Sequence, residues 1–353
     1  MMKIIHIMEC FAGGTFTFLV ELIKKVPEHQ YIIIHGYREN TPKNFTELFL
    51  PNVTFIEWKS VTREISIFKD FLALKELIDI LKNITEKNVI HLHSSKAGFL
   101  GRIAAKIIGF NGNLIYTPHG ISFLRKDISN NKKRFFVLLE LLASKLGGTV
   151  VGCSKSERDV IYSVGIKNVI TINNGIDVNI QSYSSSKNDV FIIITAGRIT
   201  SQKNAKLFNE IASCFIEKNN IRFVWCGDGE DKHYLTSTNI QVTGWITEEQ
   251  VQEYIQKADV YLSTSQWEGL PLAVLKAMAL GKALVLSDSV GNVDCINGNG
   301  KIFHNSSEAI LIINNLQLDK HLLEKWSDES RKLFHSEFTL DKMVDKYLKL
   351  YLK

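Results

Sequence analysis

Ten short apolar runs punctuate this chain, and their rhythm limits its folds more than any other feature. In the first half KIIHIM, YIIIHG, NVIHLH, NLIYTP and GTVVGC alternate with helical periodicity at residues 66–83, 97–109, 132–146 and 154–164. The runs are continuously Val/Ile-rich instead of apolar at every second position, which is how parallel strands covered on both faces read. FIIITAG, IRFVWCG, IQVTG, DVYLS and ALVLS repeat the pattern in the second half. There Phe208, Ile211, Ala212 and Phe215 fall on one helix face, and Thr247 with Gln250 three residues on has the form of a capping box. Two doubly wound α/β domains are expected, over residues 1–181 and 190–335, joined by the polar, serine-rich SYSSSKND at 182–189. FTLDKMVDKYLKLYLK, residues 338–353, predicts an amphipathic helix that needs a surface for Met343, Tyr347 and Leu350.

Composition narrows the function classes. With 353 residues and 45% hydrophobic content there is material for one core per domain, so a disordered or low-complexity chain is excluded. A net charge of +5 over this length gives mild attraction to phosphates or an anionic membrane and is too small for a dedicated nucleic-acid binder. The five cysteines, Cys10, Cys153, Cys214, Cys226 and Cys295, form no Cys-x-x-Cys pair, so neither a zinc ribbon nor a disulfide framework is encoded. MMKIIHIMECFAGG is too short in its apolar stretch for a signal sequence, and no apolar run of about 18 residues occurs. A cytoplasmic protein, soluble or peripheral at the inner face of the membrane, is expected.

Ligands of doubly wound sheets sit outside the carboxyl ends of the strands, so the chemistry belongs in the strand-to-helix loops. In STSQWEGLPLAVLKAMALGK, residues 263–282, a helix starting near Pro271 leaves the N–H groups of Leu272 and Ala273 bare, at the positive end of the helix dipole. A phosphate fits there, and Glu268 is placed to accept hydrogen bonds from hydroxyls. The plain alternative is a capped helix whose acid is favoured by the dipole. In TAGRITSQKN, residues 195–204, Gly197-Arg198 and Lys203 put two cations at one strand end, as a diphosphate leaving group requires, unless they only decorate a solvated loop. Gly13-Gly14 lets backbone approach a ligand closely. No complete G-x-G-x-x-G or G-x-x-x-x-G-K-[ST] follows any strand, which argues against a dehydrogenase or a P-loop enzyme. His119 precedes a glycine at a strand end, while His91 and His93 share a strand face with no acidic or histidine partner at ligand spacing. With no Asp-x-Asp motif either, a metal-independent reaction is expected, protein cations standing in for magnesium.

Taken together these residues resemble the retaining, nucleotide-sugar-dependent glycosyltransferases of GT-B type, in the Glu-x7-Glu or family-four group. Gly13-Gly14, Pro118-His119-Gly120, NNGID at 173–177, GR…QKN at 197–204, WCGDGE at 225–230, VTGW at 242–245 and EGLPLAVLKAMALGK at 268–282 carry the likeness. It implies two Rossmann-like domains, a C-terminal helix crossing back to the first, and no metal or other cofactor. The donor is a nucleoside diphosphate sugar, UDP- or GDP-linked. By the same resemblance Arg198 and Lys203 take the donor diphosphate, Glu268 takes the sugar hydroxyls, and the N–H groups of Gly269, Leu270, Pro271 (which lacks one), Leu272 and Ala273 line sugar and phosphate. Gly13 and Gly14 approach the diphosphate, His119 lies beside the transferred sugar, and Gly197, Cys226, Gly227 and Trp245 border the nucleotide. The group's second glutamate falls at Lys276, an ammonium with three donors and no acceptor for ribose hydroxyls.

The resemblance implies a saccharide acceptor, lipid-linked, in assembly of a bacterial surface polysaccharide such as O-antigen or capsule. KKRFFVLLELLASKL, residues 132–146, joins a basic cluster to an apolar stripe and either packs in the core or seats the protein on anionic lipid. A sugar-nucleotide 2-epimerase of similar architecture and a non-catalytic sugar-nucleotide binder are the competing readings.

Overall fold

The computed structural model describes residues 1–38, 41–62, 64–178 and 190–353; the linker expected at 182–189 lies outside the described residues. The chain divides into two units. One holds Met1–Leu124, Ile128–Asn174 and Leu340–Lys353, the other Arg125–Asp127 and Gly175–Thr339.

In the first unit seven strands, β1 (Lys3–Met8), β2 (Gln30–His35), β3 (Val53–Glu57), β4 (Val89–His93), β5 (Asn113–Thr117), β6 (Thr149–Gly152) and β7 (Val169–Thr171), form one parallel sheet in the order 3-2-1-4-5-6-7. The connecting helices are α1 (Gly13–Lys25), α2 (Ile67–Asn83), α3 (Ser95–Ile107), α4 (Asn130–Ser144) and α5 (Lys155–Ser163). Ile4, Phe18, Leu19 and Ile33 pack on one side of the sheet, and Ile5, Ile7, Leu77 and Leu100 on the other. This two-sided burial is the reason the runs are apolar throughout. The short edges β3 and β7, only partly buried, carry weaker apolar signals than the central strands.

The second unit repeats the winding with β8 (Phe191–Ala196), β9 (Ile221–Cys226), β10 (Ile240–Val242), β11 (Val260–Ser263), β12 (Ala283–Ser287) and β13 (Gly300–Phe303), all parallel in the order 10-9-8-11-12-13. Its helices are α6 (Ala205–Ser213), α7 (Glu248–Lys257), α8 (Leu272–Ala279), α9 (Ser306–Leu318) and α10 (Lys320–Glu337). Thr247 and Gln250 close both bonds of the capping box that starts α7. Phe208, Ile211, Ala212 and Phe215 are all buried in one cluster, Phe215 just past the end of α6.

The last helix, α11 (Leu340–Tyr351), belongs to the first unit, against α1. Met343, Tyr347 and Leu350 are buried there, together with Val344 and Tyr351. Each such side chain contributes about 1.5–3 kcal/mol of transfer free energy, so the helix is held by its apolar face. Among the described residues no helix is long and apolar enough to cross a membrane. None of the five cysteines is in a disulfide.

Candidate functional site

In each sheet the strand order reverses between two central strands, β1 and β4 in the first unit, β8 and β11 in the second. Loops leaving such neighbours in opposite directions open a crevice at the carboxyl ends, the usual ligand position of this architecture.

At the reversal in the second unit Lys203 follows β8 and Glu268 follows β11. Lys203 Nζ donates to Glu268 Oε1 at 2.7 Å, and Gln202 Nε2 donates to Glu268 Oε2 at 3.3 Å and to the Trp267 carbonyl at 2.8 Å. Burial works against the Lys203 charge, but the facing Glu268 carboxylate outweighs it and holds the ammonium above the ordinary lysine range. Thr264 Oγ1 fixes the Lys203 backbone by donating to its carbonyl at 2.7 Å. Glu268 is itself buried, and Gly291 lies so close that a Cβ there would come within 2.6 Å of the Gly269 carbonyl. Only glycine at 291 lets the chain pass this close to the Glu268-Gly269 turn.

Helix α8 begins directly after this turn. Pro271 is its N-cap and provides no side-chain cap, while its carbonyl accepts from Val274 N at 3.0 Å, so the N–H groups of Leu272 and Ala273 have no intrahelical acceptor. Both residues are only partly buried. Gly269, Leu270 and Pro271 are buried beneath them.

Arg198 follows β8 two residues after Ala196 and pairs with Glu230, Nη2 to Oε2 at 3.2 Å, with both side chains about half exposed. Gly197 and Gly227 meet backbone to backbone; a Cβ on Gly227, whose φ is +144°, would lie 2.3 Å from the Gly197 carbonyl, which only glycine tolerates. Gly227 bridges Gly244, and the next residue, Trp245, leaves its ring largely in solvent. Cys226 is buried and burial pushes its thiol up to about 12.

The first unit furnishes its reversal with histidines. Gly13 and Gly14 open α1, both exposed, Gly13 with φ +63°. His6 of β1 and His93 of β4 share a hydrogen bond, Nδ1 to Nε2, at 2.9 Å, and His93 Nδ1 lies 3.0 Å from His119 Nε2. His91 is held by Tyr351 OH on Nδ1 and Thr117 Oγ1 on Nε2, each at 2.8 Å. His119 takes φ +55°, a left-handed conformation uncommon outside glycine. Burial drives His6 and His119 down to about 3 and His91 and His93 well below the ordinary histidine value. His6, His91 and His93 each offer a nitrogen within 4.8 Å of the others. Those nitrogens are committed to one another, to His119, to Tyr351 and to Thr117, except His6 Nε2, so the arrangement is a hydrogen-bonded network of neutral rings.

Residues 12–180 match the model named Glycosyltransferase Family 4, and residues 179–333 the model described as glycosyl transferases group 1. Both halves are glycosyltransferase domains. The chain is 28% identical over 391 aligned residues to the UDP-Gal:alpha-D-GlcNAc-diphosphoundecaprenol alpha-1,3-galactosyltransferase of Escherichia coli, across 99% of this chain and 96% of that protein. It is 29% identical over 252 residues to the O-antigen biosynthesis glycosyltransferase WbnH of Escherichia coli, covering 68% of this chain and 70% of that protein. Anabaena HepE in complex with UDP-glucose superposes with a TM-score of 0.80 at 16% identity over 99% of each chain. Sucrose-phosphate synthase of Thermosynechococcus elongatus does so at 0.80 and 15% identity, over 99% of this chain and 98% of that one. The fold is GT-B.

Several contacts of this glycosyltransferase escape a reading of the sequence. Lys276 on α8 forms an ion pair with Glu248, the first residue of α7. Glu157 of α5, wholly buried, accepts from the backbone N–H groups of Gly120, Ile121 and Cys153 at 2.9, 2.8 and 2.7 Å. It ties down the turn that carries His119. In sequence Glu157 passes for the third-position acid of a helix capped by Ser154, and His6 for one more residue of a core strand.

Proposed function

We propose that the protein is a retaining transferase that moves a sugar from a nucleoside diphosphate sugar to an acceptor hydroxyl. The Lys203–Glu268 pair, set across the strand reversal beside the bare start of α8, carries this reading. As the bond from the anomeric carbon to the diphosphate oxygen breaks, negative charge grows on the leaving group. Lys203, Arg198 and the N–H groups of Leu272 and Ala273 stabilise it. Glu268 and Gln202 orient the sugar through its hydroxyls. The acceptor oxygen attacks on the face the diphosphate leaves, and its proton passes to a departing phosphate oxygen. No side-chain nucleophile and no metal takes part. Gly13 and Gly14 border the diphosphate, His119 borders the transferred sugar, and Gly197, Gly227 and Trp245 border the nucleotide, with Lys276 near the ribose.

The donor is UDP- or GDP-linked and the acceptor a lipid-linked saccharide of O-antigen or capsule assembly, at the inner face of the cell membrane. Two relatives support this reading by what their names say: one takes UDP-Gal and a diphosphoundecaprenol acceptor, and the other serves O-antigen biosynthesis. Helix α4 leaves Phe135, Leu138 and Leu142 exposed next to Lys132, Lys133 and Arg134, a face suited to anionic lipid. Replacing the three cations by glutamine should weaken flotation with anionic liposomes, at about 1 kcal/mol per charge; unchanged flotation removes the membrane reading.

Incubation with a panel of nucleotide sugars, with and without a lipid-linked saccharide, tests the function. Slow nucleotide release, accelerated by acceptor and leaving the anomeric configuration unchanged, is expected. An epimerised sugar without acceptor, an inverted product, or binding without turnover each overturns it.

A further inference from the structure

The imidazoles of His6, His93 and His119 lie in file, with ring centroids 5.2 and 5.3 Å apart and planes within 29° and 18° of parallel. Each of the two links joins an Nδ1 of one ring to an Nε2 of the next. A neutral imidazole carries one N–H, so it donates at one end and accepts at the other. Three neutral rings linked this way must all hold their protons on the same kind of nitrogen. Either every Nδ1 is protonated or every Nε2 is.

Both ends of the file favour Nδ1–H. At the outer end His119 Nδ1 lies 3.7 Å from Cys153 Sγ. Burial, with the Glu157 carboxylate nearby, pushes the Cys153 thiol up, so it keeps its proton with Glu157 as the acceptor at hand, and its sulfur is left to accept. At the inner end His6 Nε2 has no hydrogen-bond partner among the described residues. With Nδ1 protonated that atom is a bare lone pair; with the other tautomer it is an orphaned buried N–H, the rarer omission in folded proteins.

We propose that His93, backed by His6, is a positioning residue that fixes His119 as an uncharged Nδ1–H imidazole whose Nε2 is already occupied. This rests on the reading above that His119 borders the transferred sugar. A neutral ring there avoids placing positive charge against a sugar that itself becomes cation-like as the leaving group departs. It also removes His119 from proton transfer. The groups facing the file are Tyr31 of β2, His91 of β4, Cys153 after β6, Glu157 of α5, and Tyr347 and Tyr351 of α11. Phe18 of α1 covers His93 and His119 with an apolar edge, at centroid distances of 5.8 and 4.8 Å.

The test is nitrogen-15 NMR of the histidine rings in the full-length protein, with the pH dependence of kcat. His6, His93 and His119 should all show the neutral Nδ1–H pattern from pH 5 to 8, and His6→Leu should loosen the tautomer of His119 two rings away. His93→Leu removes the donor to His119 Nε2 but not the burial that keeps the ring neutral, so His119 should stay uncharged yet no longer be confined to Nδ1–H, and kcat should fall roughly twofold at every pH from 5 to 8 with donor KM unchanged. His93→Gln, which can still donate to Nε2, should restore the Nδ1–H form of His119 and most of kcat. Mixed tautomers, a charged ring above pH 5, or stoichiometric zinc in the purified protein overturns the proposal. If His93→Leu fails to fold, the tautomers of the unmodified protein decide it. Normal kcat in His119→Ala sinks the role of His119 at the sugar and leaves the NMR result to judge the file separately.

Discussion

At the strand reversal of the second unit Lys203 and Glu268 form an ion pair at 2.7 Å, while at the matching place in the first unit His6, His91 and His93 are fully buried and uncharged. The two sheets wind alike, with the order 3-2-1-4-5-6 over their common strands. Backbone topology therefore supplies the crevice and says nothing about its polarity. Polarity comes from whether each buried group finds an opposite charge. Lys203 has a carboxylate to offset its desolvation, whereas the histidines have only one another and neutral hydroxyls, so deprotonation is their cheapest state.

Acid should separate the two regions most strongly. A histidine whose folded value is depressed contributes stability that is complete above its unfolded value, near 6.5, and is lost as pH falls toward the folded value. For His6, driven to about 3, and His91 and His93, driven well below 6.5, that window runs downward from about pH 6.5. At pH 5 His6 alone costs about 2 kcal/mol relative to neutral pH, and His91 and His93 add to that loss in the same direction. All the buried histidines among the described residues, these three and His35, lie in the first unit. Hydrogen exchange at pH 5 should show β1 and β4 losing protection before β8 and β11. Equal loss in both sheets breaks the contrast.

The charged region should respond in turnover. Lys203→Ala is expected to lower kcat toward 1,000-fold, the upper end of what one missing oxyanion donor costs. Arg198→Ala should fall nearer 100-fold, because its side chain is 54% exposed against 22% for Lys203, and water screens it. Since the Arg198–Glu230 pair lies at the surface, its loss should change stability by less than about 1 kcal/mol. Steady-state kinetics beside thermal melts check both, and near-normal activity in either variant removes that residue from the diphosphate.

This difference in burial also decides what the sequence discloses. Apolar runs such as KIIHIM and FIIITAG announce central strands because both faces are covered, while VTFIE and VIT at the edges carry too few buried positions to stand out. Glu268 and Lys203 are conspicuous because both are charged and stand in loops that follow strand runs, where this architecture places its ligands. His6 is invisible for the opposite reason: a neutral ring within a strand reads as core, and its partner His93 is 87 residues away. Glu157 announces a helix start, and nothing local tells that its carboxylate is spent on the turn at Gly120 and Ile121.

The smallest effect concerns Lys276, whose partner was equally hidden in sequence, since Glu248 lies 28 residues upstream on another helix. The pair sets a carboxylate beside the position where the resemblance expects one. Lys276→Glu faces Glu248 with a like charge, but Glu248 is 73% exposed and can turn into solvent, so the cost should be well below 1.4 kcal/mol and nucleotide affinity should change less than tenfold. An added acceptor for the ribose hydroxyls pulls the other way, and the net expectation is affinity retained or modestly improved. Exchanging the charges, Lys276→Glu with Glu248→Lys, restores the ion pair and should bind at least as well as the single variant. Titration calorimetry with UDP and GDP measures all three proteins. Binding abolished in Lys276→Glu and recovered on exchange would mean that the pair itself shapes the site; binding abolished in both would mean that the ammonium touches the nucleotide, and either result overturns the expectation.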